Sequence, residues 1–453
     1  MRYIIYTFCY ETPHFETDLE IAKSLINEGH EVFFLTCNEE LKSCFLNPEH
    51  SKLICRVCKS KIKNGIEYIQ TDKQQILTFK KGGFPVPGFD DINTIQDLTK
   101  FSYKGCDIGL GVISSLVSAT RDHLFNINHY KDKVFSGLET SILVYENFKS
   151  IIESYKPDGV ILFNGRFLET KPVIHLCKEY GVKFFTHERG GQVNRFMFRE
   201  NSTPHSLDFA RKEIDSLWGY GGEEKCKIGE RFFEERRNKV QQNWFIYTDN
   251  QVDNKLPLNF NKSKINIAIF NSSIDEYVTI PDFTNKIYKD DNDGIRRLCE
   301  SFKDNQEVHF YLRNHPNLRN LDTSQTREIN SFKNIFKNLT VIDSKDDIDS
   351  YYLMEKVDMI VTFGSTMGVE ALYWGTSSML LGEAYYSNIG GLIKPATHEE
   401  ACILISKPKK LNSSEKALNR KNSIKFGYWS LMYGEPFRYF KPSGLFKGNF
   451  TGK

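Results

Sequence analysis

The chain has 453 residues, with 60 Lys and Arg against 58 Asp and Glu, a net charge of +2. That length exceeds what one hydrophobic core organises and points to two domains of roughly 200 residues each. The charge balance supplies no overall field for nucleic acid, and no uncharged apolar run approaches the ~20 residues that span a bilayer. The apolar start, Met1–Tyr10, is followed at once by Glu11, Glu16 and Asp18, so it reads as a buried strand rather than a secretion signal. The expected location is cytoplasmic, with peripheral association to the inner membrane left open.

In chain order, Arg2–Phe8 reads as a strand, Asp18–Glu28 as a helix ending at Gly29, and Glu31–Leu35 as the next strand. In the loop before that helix, Thr17 and Glu20 fit a capping box. Glu11, His14 and Glu16 have no such local role. From Cys37 to about Tyr130 the pattern is irregular and reads as an insertion. Its Cys37, Cys44, Cys55 and Cys58, spaced C-x6-C-x10-C-x2-C, are compatible with a structural zinc site, with His50 as a substitute ligand. The alternative is a set of free thiols. A second βαβ unit follows in Gly159–Phe163, a helix over Leu168–Tyr180 and Val182–Thr186, with polar loops at Asn164-Gly-Arg166 and His187-Glu-Arg189. The charged region Glu223–Asn261 reads as an interdomain connection.

Beyond it, buried strands are expected at Ile265–Phe270, Val308–Leu312, Leu339–Ile342, Met359–Phe363 and Ser378–Leu381, separated by helices at Gly294–Phe302, Thr326–Lys337, Ile348–Val357 and Thr366–Trp374. Two Asp-x-Asp strings, Asp291–Asp293 and Asp347–Asp349, sit where helices begin and read as caps. The aromatic tail from Phe426 reads as a segment packing back across the domains. The fold class is therefore α/β, two Rossmann-like domains with parallel sheets facing a central cleft. The expected division is 1–240, 241–425 and a C-terminal segment 426–453.

Ligands of such sheets bind in the loops beyond the strand ends. In Phe363-Gly-Ser-Thr-Met-Gly-Val-Glu-Ala-Leu372, the start of a helix at Ser365 or Thr366 offers N–H groups and a dipole suited to a diphosphate, and Glu370 lies one turn in. A capping box does not explain Glu370, because its spacing from Ser365 and Thr366 is too long. At another strand end, Arg313 offers a planar fork for phosphate oxygens and His315 a further donor. Side chains able to act as a general base near neutral pKa stand in the N-terminal loops; the candidates are His14, Glu16 and Glu188.

Arg313-Asn-His-Pro316, Asp358-x5-Gly-Ser-Thr-Met-Gly-Val-Glu-Ala371, Gly382-Glu383 and the polar loop Asn271-Ser-Ser-Ile-Asp-Glu276 together resemble the donor half of bacterial capsule and lipopolysaccharide glycosyltransferases. That group includes the capsule polysaccharide biosynthesis proteins and the Kdo transferases, and the resemblance implies the GT-B architecture. The resemblance covers roughly Ile265–Glu383. It implies a nucleotide-sugar donor held by Arg313, His315, Ser365, Thr366, Glu370, Ser272 and Ser273. A glycan or glycolipid acceptor would then lie on the N-terminal domain, near Asn164, Arg166, His187 and Arg189, and no catalytic metal is expected. The implied reaction moves a sugar to a surface polysaccharide or lipopolysaccharide. A nucleotide-sugar 2-epimerase, a polyol-phosphate transferase of the teichoic-acid type and a non-catalytic scaffold are the rival readings.

Overall fold

The computed structural model describes residues 1–69, 75–242, 245 and 247–451. The chain forms two compact units, Met1–Ser206 together with Tyr433–Lys453, and Leu207–Met432.

The first unit opens with β1 (Arg2–Tyr6), α1 (His14–Asn27), β2 (Glu31–Thr36), α2 (Lys52–Tyr68) and β3 (Ile76–Thr78). It continues through α3 (Ile95–Lys100), α4 (Ile108–Thr120), α5 (Lys131–Tyr155), β4 (Gly159–Phe163), α6 (Lys171–Glu179), β5 (Lys183–Arg189) and β6 (Arg195–Glu200). The strands lie in the order β3-β2-β1-β4-β5, all parallel, with β6 antiparallel at the β5 edge. Strand side chains alternate between faces. Ile4, Tyr6 and Leu162 accordingly join a core with Val112, Leu138 and Val144 of α4 and α5. Ile5, Phe34 and Ile161 pack on the other face against Phe15 and Leu19 of α1 and Ile62 and Ile66 of α2.

The second unit contains α7 (Leu207–Tyr220), α8 (Lys225–Arg237), β7 (Ile265–Phe270), α9 (Asp291–Ser301), β8 (Val308–Arg313), α10 (Ser324–Ile335) and β9 (Leu339–Ile342). It is completed by α11 (Ser350–Lys356), β10 (Met359–Thr362), α12 (Met367–Trp374), β11 (Ser378–Leu380), α13 (His398–Ser406) and α14 (Ser413–Met432). Its sheet runs β11-β10-β7-β8-β9, entirely parallel. Counted along the chain, both sheets place their third, second, first, fourth and fifth strands side by side. Two Rossmann-like α/β units are thus present, as the strand pattern implies. In each, winding reverses beside the first strand, between β1 and β4 and between β7 and β10.

Three expectations change. The stretch from Cys37 to Tyr130 is not irregular: it holds α2, α3 and α4, and Leu98, Cys106, Ile108 and Val112 belong to the main core. In α4, Gly109 and Gly111 lower helix propensity. They are required by close approach: a Cβ at Gly109 would stand 1.9 Å from the Leu98 carbonyl oxygen. The units divide at Ser206 rather than residue 240, because α8 packs on α14 through backbone contact. A Cβ on Gly229 would lie 2.3 Å from the Ile424 oxygen, and one on Gly427 2.2 Å from the Gly229 oxygen. The aromatic tail is likewise split. Phe426 and Trp429 are in α14, while β12 (Glu435–Pro436), β13 (Phe440–Gly444) and β14 (Lys447–Phe450) belong to the first unit, with β12 pairing β6. Part of the expected connection, residues 243, 244 and 246, lies outside the described residues.

Replacing Gly427 by Val should force α8 and α14 apart and lower stability by about 1–3 kcal/mol, the usual cost of overpacking. Urea unfolding checks this; an unchanged midpoint would contradict the backbone contact.

Candidate functional site

In the second unit, the loops after β7, β8, β10 and β11 gather at the point where the winding reverses. Glycines let them close together. A Cβ on Gly382 would stand 2.0 Å from the Phe363 oxygen, and one on Gly364 would stand 3.2 Å from the Glu383 oxygen and 3.6 Å from Ser272 Oγ. A cavity of about 90 Å3 lies among them, lined by Ile274, Tyr277, Asp291, Phe363 and Gly382. The Ser272 backbone N–H donates to Asp291 Oδ2 at 2.8 Å, and Asn271 Oδ1 accepts from the His315 N–H at 2.8 Å. Ser272 Oγ and Asn271 Nδ2 are buried without a hydrogen-bond partner. Leaving a buried polar atom unpaired costs about 1–3 kcal/mol, and Ser272 Oγ also lies close enough to the Asp291 carboxylate to lower its pKa.

Glu370 is fully buried, and its oxygens are already engaged. Oε1 accepts from Arg236 Nε at 3.1 Å and Thr366 Oγ1 at 3.0 Å, and Oε2 accepts from the Tyr351 hydroxyl at 2.5 Å. Arg236 also donates to Thr366 Oγ1 at 3.1 Å, which puts a guanidinium beside the first turn of α12. The sequence pattern did not single out Arg236. Its signal would have been an arginine in the last turn of α8 facing a helix more than a hundred residues away. Arg313 changes role: it is 4% exposed, and its fork donates to the carbonyls of Asp343 and Asp346, each at 3.0 Å. It fastens the loop before α11. Ser273 is buried, with its hydroxyl on Asp275. His315 and Ser365 stay partly accessible at the loop ends.

The Asp-x-Asp strings are structural. Asp349 caps α11, accepting from the N–H groups of Tyr351 and Tyr352. At α9 the cap is Asp290, one residue before the string, while Asp291 is buried against Ser272 and Tyr277, and burial pushes its carboxyl up to about 7.

In the first unit, α1 begins at His14 with no side-chain cap. The expected capping box does not form, since Thr17 Oγ1 donates to the Pro13 carbonyl and Glu20 accepts the backbone N–H groups of Arg438, Tyr439 and Phe440. Beyond β4 and β5, a cluster assembles. His14 Nε2 lies 3.5 Å from Glu188 Oε1, and Asn164 Nδ2 donates to Glu188 Oε2 at 2.9 Å. Asn164 adopts φ +63°, a conformation Asn tolerates, and its Nδ2 is 3.4 Å from His205 Nε2. Burial pushes the His14 imidazole down to about 4, keeping it neutral, although Glu188 pulls the other way. Burial would raise Glu188, but His14 and the Asn164 hydrogen bond outweigh it and hold the carboxyl below its ordinary value. With Nε2–H turned to Glu188, the lone pair sits on His14 Nδ1, a buried atom without a partner.

The other candidates separate. Glu16 is held by Lys61 at 2.9 Å and Thr12 at 3.0 Å. His187 is fully buried, its Nε2 2.8 Å from Asp18 Oδ1, so it ties β5 to α1 and is removed from the expected acceptor set. Arg189 donates to the Leu445 and Thr12 carbonyls and covers the Phe446 ring. Arg166 lies over Phe167 and reaches Ser118.

Cys37, Cys44, Cys55 and Cys58 line one largely apolar cavity of about 340 Å3, with Phe8, Leu41 and Ile62. They do not fit a zinc site. Burial raises the Cys37 thiol to about 11 and the Cys58 thiol to about 12; the spacing of the four side chains is what decides against a shared ion. No three His, Cys, Asp or Glu side chains converge on one point among the described residues. Cys55 Sγ instead takes an N–H from Asn47 at 3.2 Å.

Residues 240–413, most of the second unit, match the family model described as capsule polysaccharide biosynthesis protein. The match lies within the second unit and covers less than half of the chain. A search of curated proteins finds no match. Among solved structures, the chain is similar to the Thermosulfurimonas dismutans KpsC β-Kdo 2,4 transferase at 14% identity and TM-score 0.35, covering 58% of this chain and 79% of that one. It is also similar to a UDP-GlcNAc 2-epimerase from Neisseria meningitidis at 11% identity and TM-score 0.26, covering 95% of this chain and 97% of that one. The strand order of the two sheets, rather than these likenesses, defines the fold.

Arg236→Met should leave Glu370 buried without its cation and destabilise the protein by about 1–3 kcal/mol, less than a wholly buried pair because Arg236 is part-exposed. Adding Glu370→Gln to that variant should recover much of the loss; denaturant unfolding of both checks it. A second outcome concerns pH. Glu169 is fully buried on the Phe45 N–H, and burial raises its carboxyl, like that of Asp291, to about 7. The folded state therefore keeps protons that the unfolded chain releases near pH ~4. Stability from these groups is complete below that value and is lost as pH rises through about 7. Melting curves at about pH 5 and about pH 8 should show a smaller difference in Glu169→Gln than in wild type.

Proposed function

We propose that this protein is a glycosyltransferase that moves a sugar from a nucleotide-activated donor to a surface polysaccharide or lipopolysaccharide acceptor, without a catalytic metal. The observation that carries this reading is the loop ring of the second unit. There Ser272 Oγ, the unpaired Asn271 Nδ2, the first turn of α12 and the Arg236 guanidinium stand at the point where the sheet order reverses. Anions bind at such places through N–H groups and the helix dipole. The capsule-biosynthesis match over 240–413 supports assigning a donor site to this unit.

The reaction divides between the units. The donor diphosphate lies along the loops of 271–273, 313–317 and 363–366. Arg236 has further N–H donors beyond those that hold Glu370 and Thr366, and these take phosphate oxygens. Their positive field stabilises the nucleoside diphosphate as the bond from the anomeric carbon to the phosphate oxygen breaks and the electron pair leaves with the phosphate. In the N-terminal unit, His14 Nδ1 takes the proton of the acceptor hydroxyl as its oxygen forms the new bond to the anomeric carbon. Glu188, 3.5 Å from Nε2, stabilises the imidazolium that results. Asn164 fixes Glu188, and Arg166 with Arg189 borders the acceptor. Because the Asp-x-Asp strings serve α9 and α11, the cation work falls to Arg236 and the α12 terminus.

Incubating the protein with nucleotide sugars and candidate acceptors tests this directly. Transfer that persists in EDTA and needs acceptor supports the reading; release of an epimer from donor alone would replace transfer by epimerisation. His14→Asn should lower kcat/KM by about 100- to 10,000-fold, the usual contribution of a general base. In wild type, kcat/KM should hold down to about pH 5, because His14 is protonated only near 4. A fall centred near pH 6.5 would argue against His14.

A further inference from the structure

Helix α2 is loosely held. Of its 17 residues only Ile62 and Ile66 are buried; they pack on the core of α1 and the sheet, and with Ile54 and Cys58 they also border the apolar cavity. On the outer side, Leu53 is 69% exposed and Val57 50% exposed. They stand four residues apart, one above the other on the helix surface. Exposed Lys52, Arg56, Lys59 and Lys63 form a stripe along one side of them, and Glu67 is the one carboxylate of the helix.

These cations are not neutralised in the fold. Lys59 approaches Glu39 at 3.6 Å and Lys63 approaches Glu67 at 3.9 Å, both as solvent-exposed pairs of little strength. Lys52 and Arg56 have no carboxylate partner among the described residues. Lys61 is turned inward onto Glu16. The chain as a whole carries only +2, so the basic face is a local feature. A nucleic acid would engage the cations and leave Leu53 and Val57 in water. An anionic lipid interface takes both, because its headgroups meet the cations and its acyl boundary receives the aliphatic side chains.

We propose that the exposed face of α2 docks the N-terminal unit onto an anionic lipid bilayer, with Leu53 and Val57 entering the acyl boundary and Lys52, Arg56, Lys59 and Lys63 on the headgroups. This does not depend on the transfer reaction. Beside α2, the groove that joins Arg56, Val57 and Lys61 to Phe15, Leu19 and Phe450 continues the same surface.

Flotation of the full chain with phosphatidylglycerol-containing vesicles, against pure phosphatidylcholine vesicles, tests this. Wild type should float with the anionic vesicles and not the neutral ones. Each cation near such a surface contributes about five-fold in partition, so Lys52→Glu with Arg56→Glu should weaken binding at least about thirty-fold. Leu53→Asp with Val57→Asp should also detach the protein, with unchanged melting because both side chains are exposed. Lys407→Glu with Lys410→Glu, exposed on the other unit, should bind like wild type. Failure of wild type to bind anionic vesicles would overturn the proposal. So would retention by Leu53→Asp with Val57→Asp, which would reduce the contact to charge adsorption.

Discussion

Both candidate sites depend on one constraint of parallel sheets. A strand-to-strand connection in a parallel sheet must cross over, and a sheet covered on both faces must reverse the direction in which its strands are added. In each unit that reversal falls beside the first strand, between β1 and β4 and between β7 and β10. The loops leaving those strands diverge to opposite faces and leave a crevice at the strand ends. His14 follows β1 and Asn164 follows β4; Ser272 follows β7 and Ser365 follows β10. The chemistry is located by winding before any side chain is chosen.

Around the second crevice the protein holds charge in place before any anion arrives. Glu370 alone, fully buried, would be costly; Arg236, Thr366 and Tyr351 compensate it and are fixed by it. Because Arg236 lies on α8, its position depends on the glycine contact between α8 and α14. Helix α8, which the sequence assigns to a connection, thus becomes part of the site's support. In the other unit, the Asp18–His187 pair joins α1 to β5 and sets the start of α1, where His14 stands, against Glu188 at the end of β5.

The sheet of the second unit was legible in the sequence because fully buried parallel strands are short, continuous apolar runs. Leu339–Ile342 and Ile265–Phe270 agree to the residue. Less was legible where contacts are distant. In α4, glycines and serines serve backbone approach and mask the helical period. The charged helix α8 reads as a connection because its partner α14 lies nearly two hundred residues on. Among the site residues, the types were visible but their burial was not. Arg313 and His187 look like ligand groups until their partners, the Asp343 carbonyl and Asp18, are known. Arg236 and His205 carry no local motif at all.

The central claim is that a nucleotide sits on the loops at the ends of β7, β8 and β10. Hydrogen–deuterium exchange of the intact protein, with and without a panel of nucleoside mono- and diphosphates, tests this most directly. The account predicts that a binding nucleotide protects the backbone over 271–276, 313–317 and 363–370, while α2 and the sheet of the first unit exchange as before. Protection centred on the 7–16 and 164–170 loops, with the second unit unaffected, would contradict it.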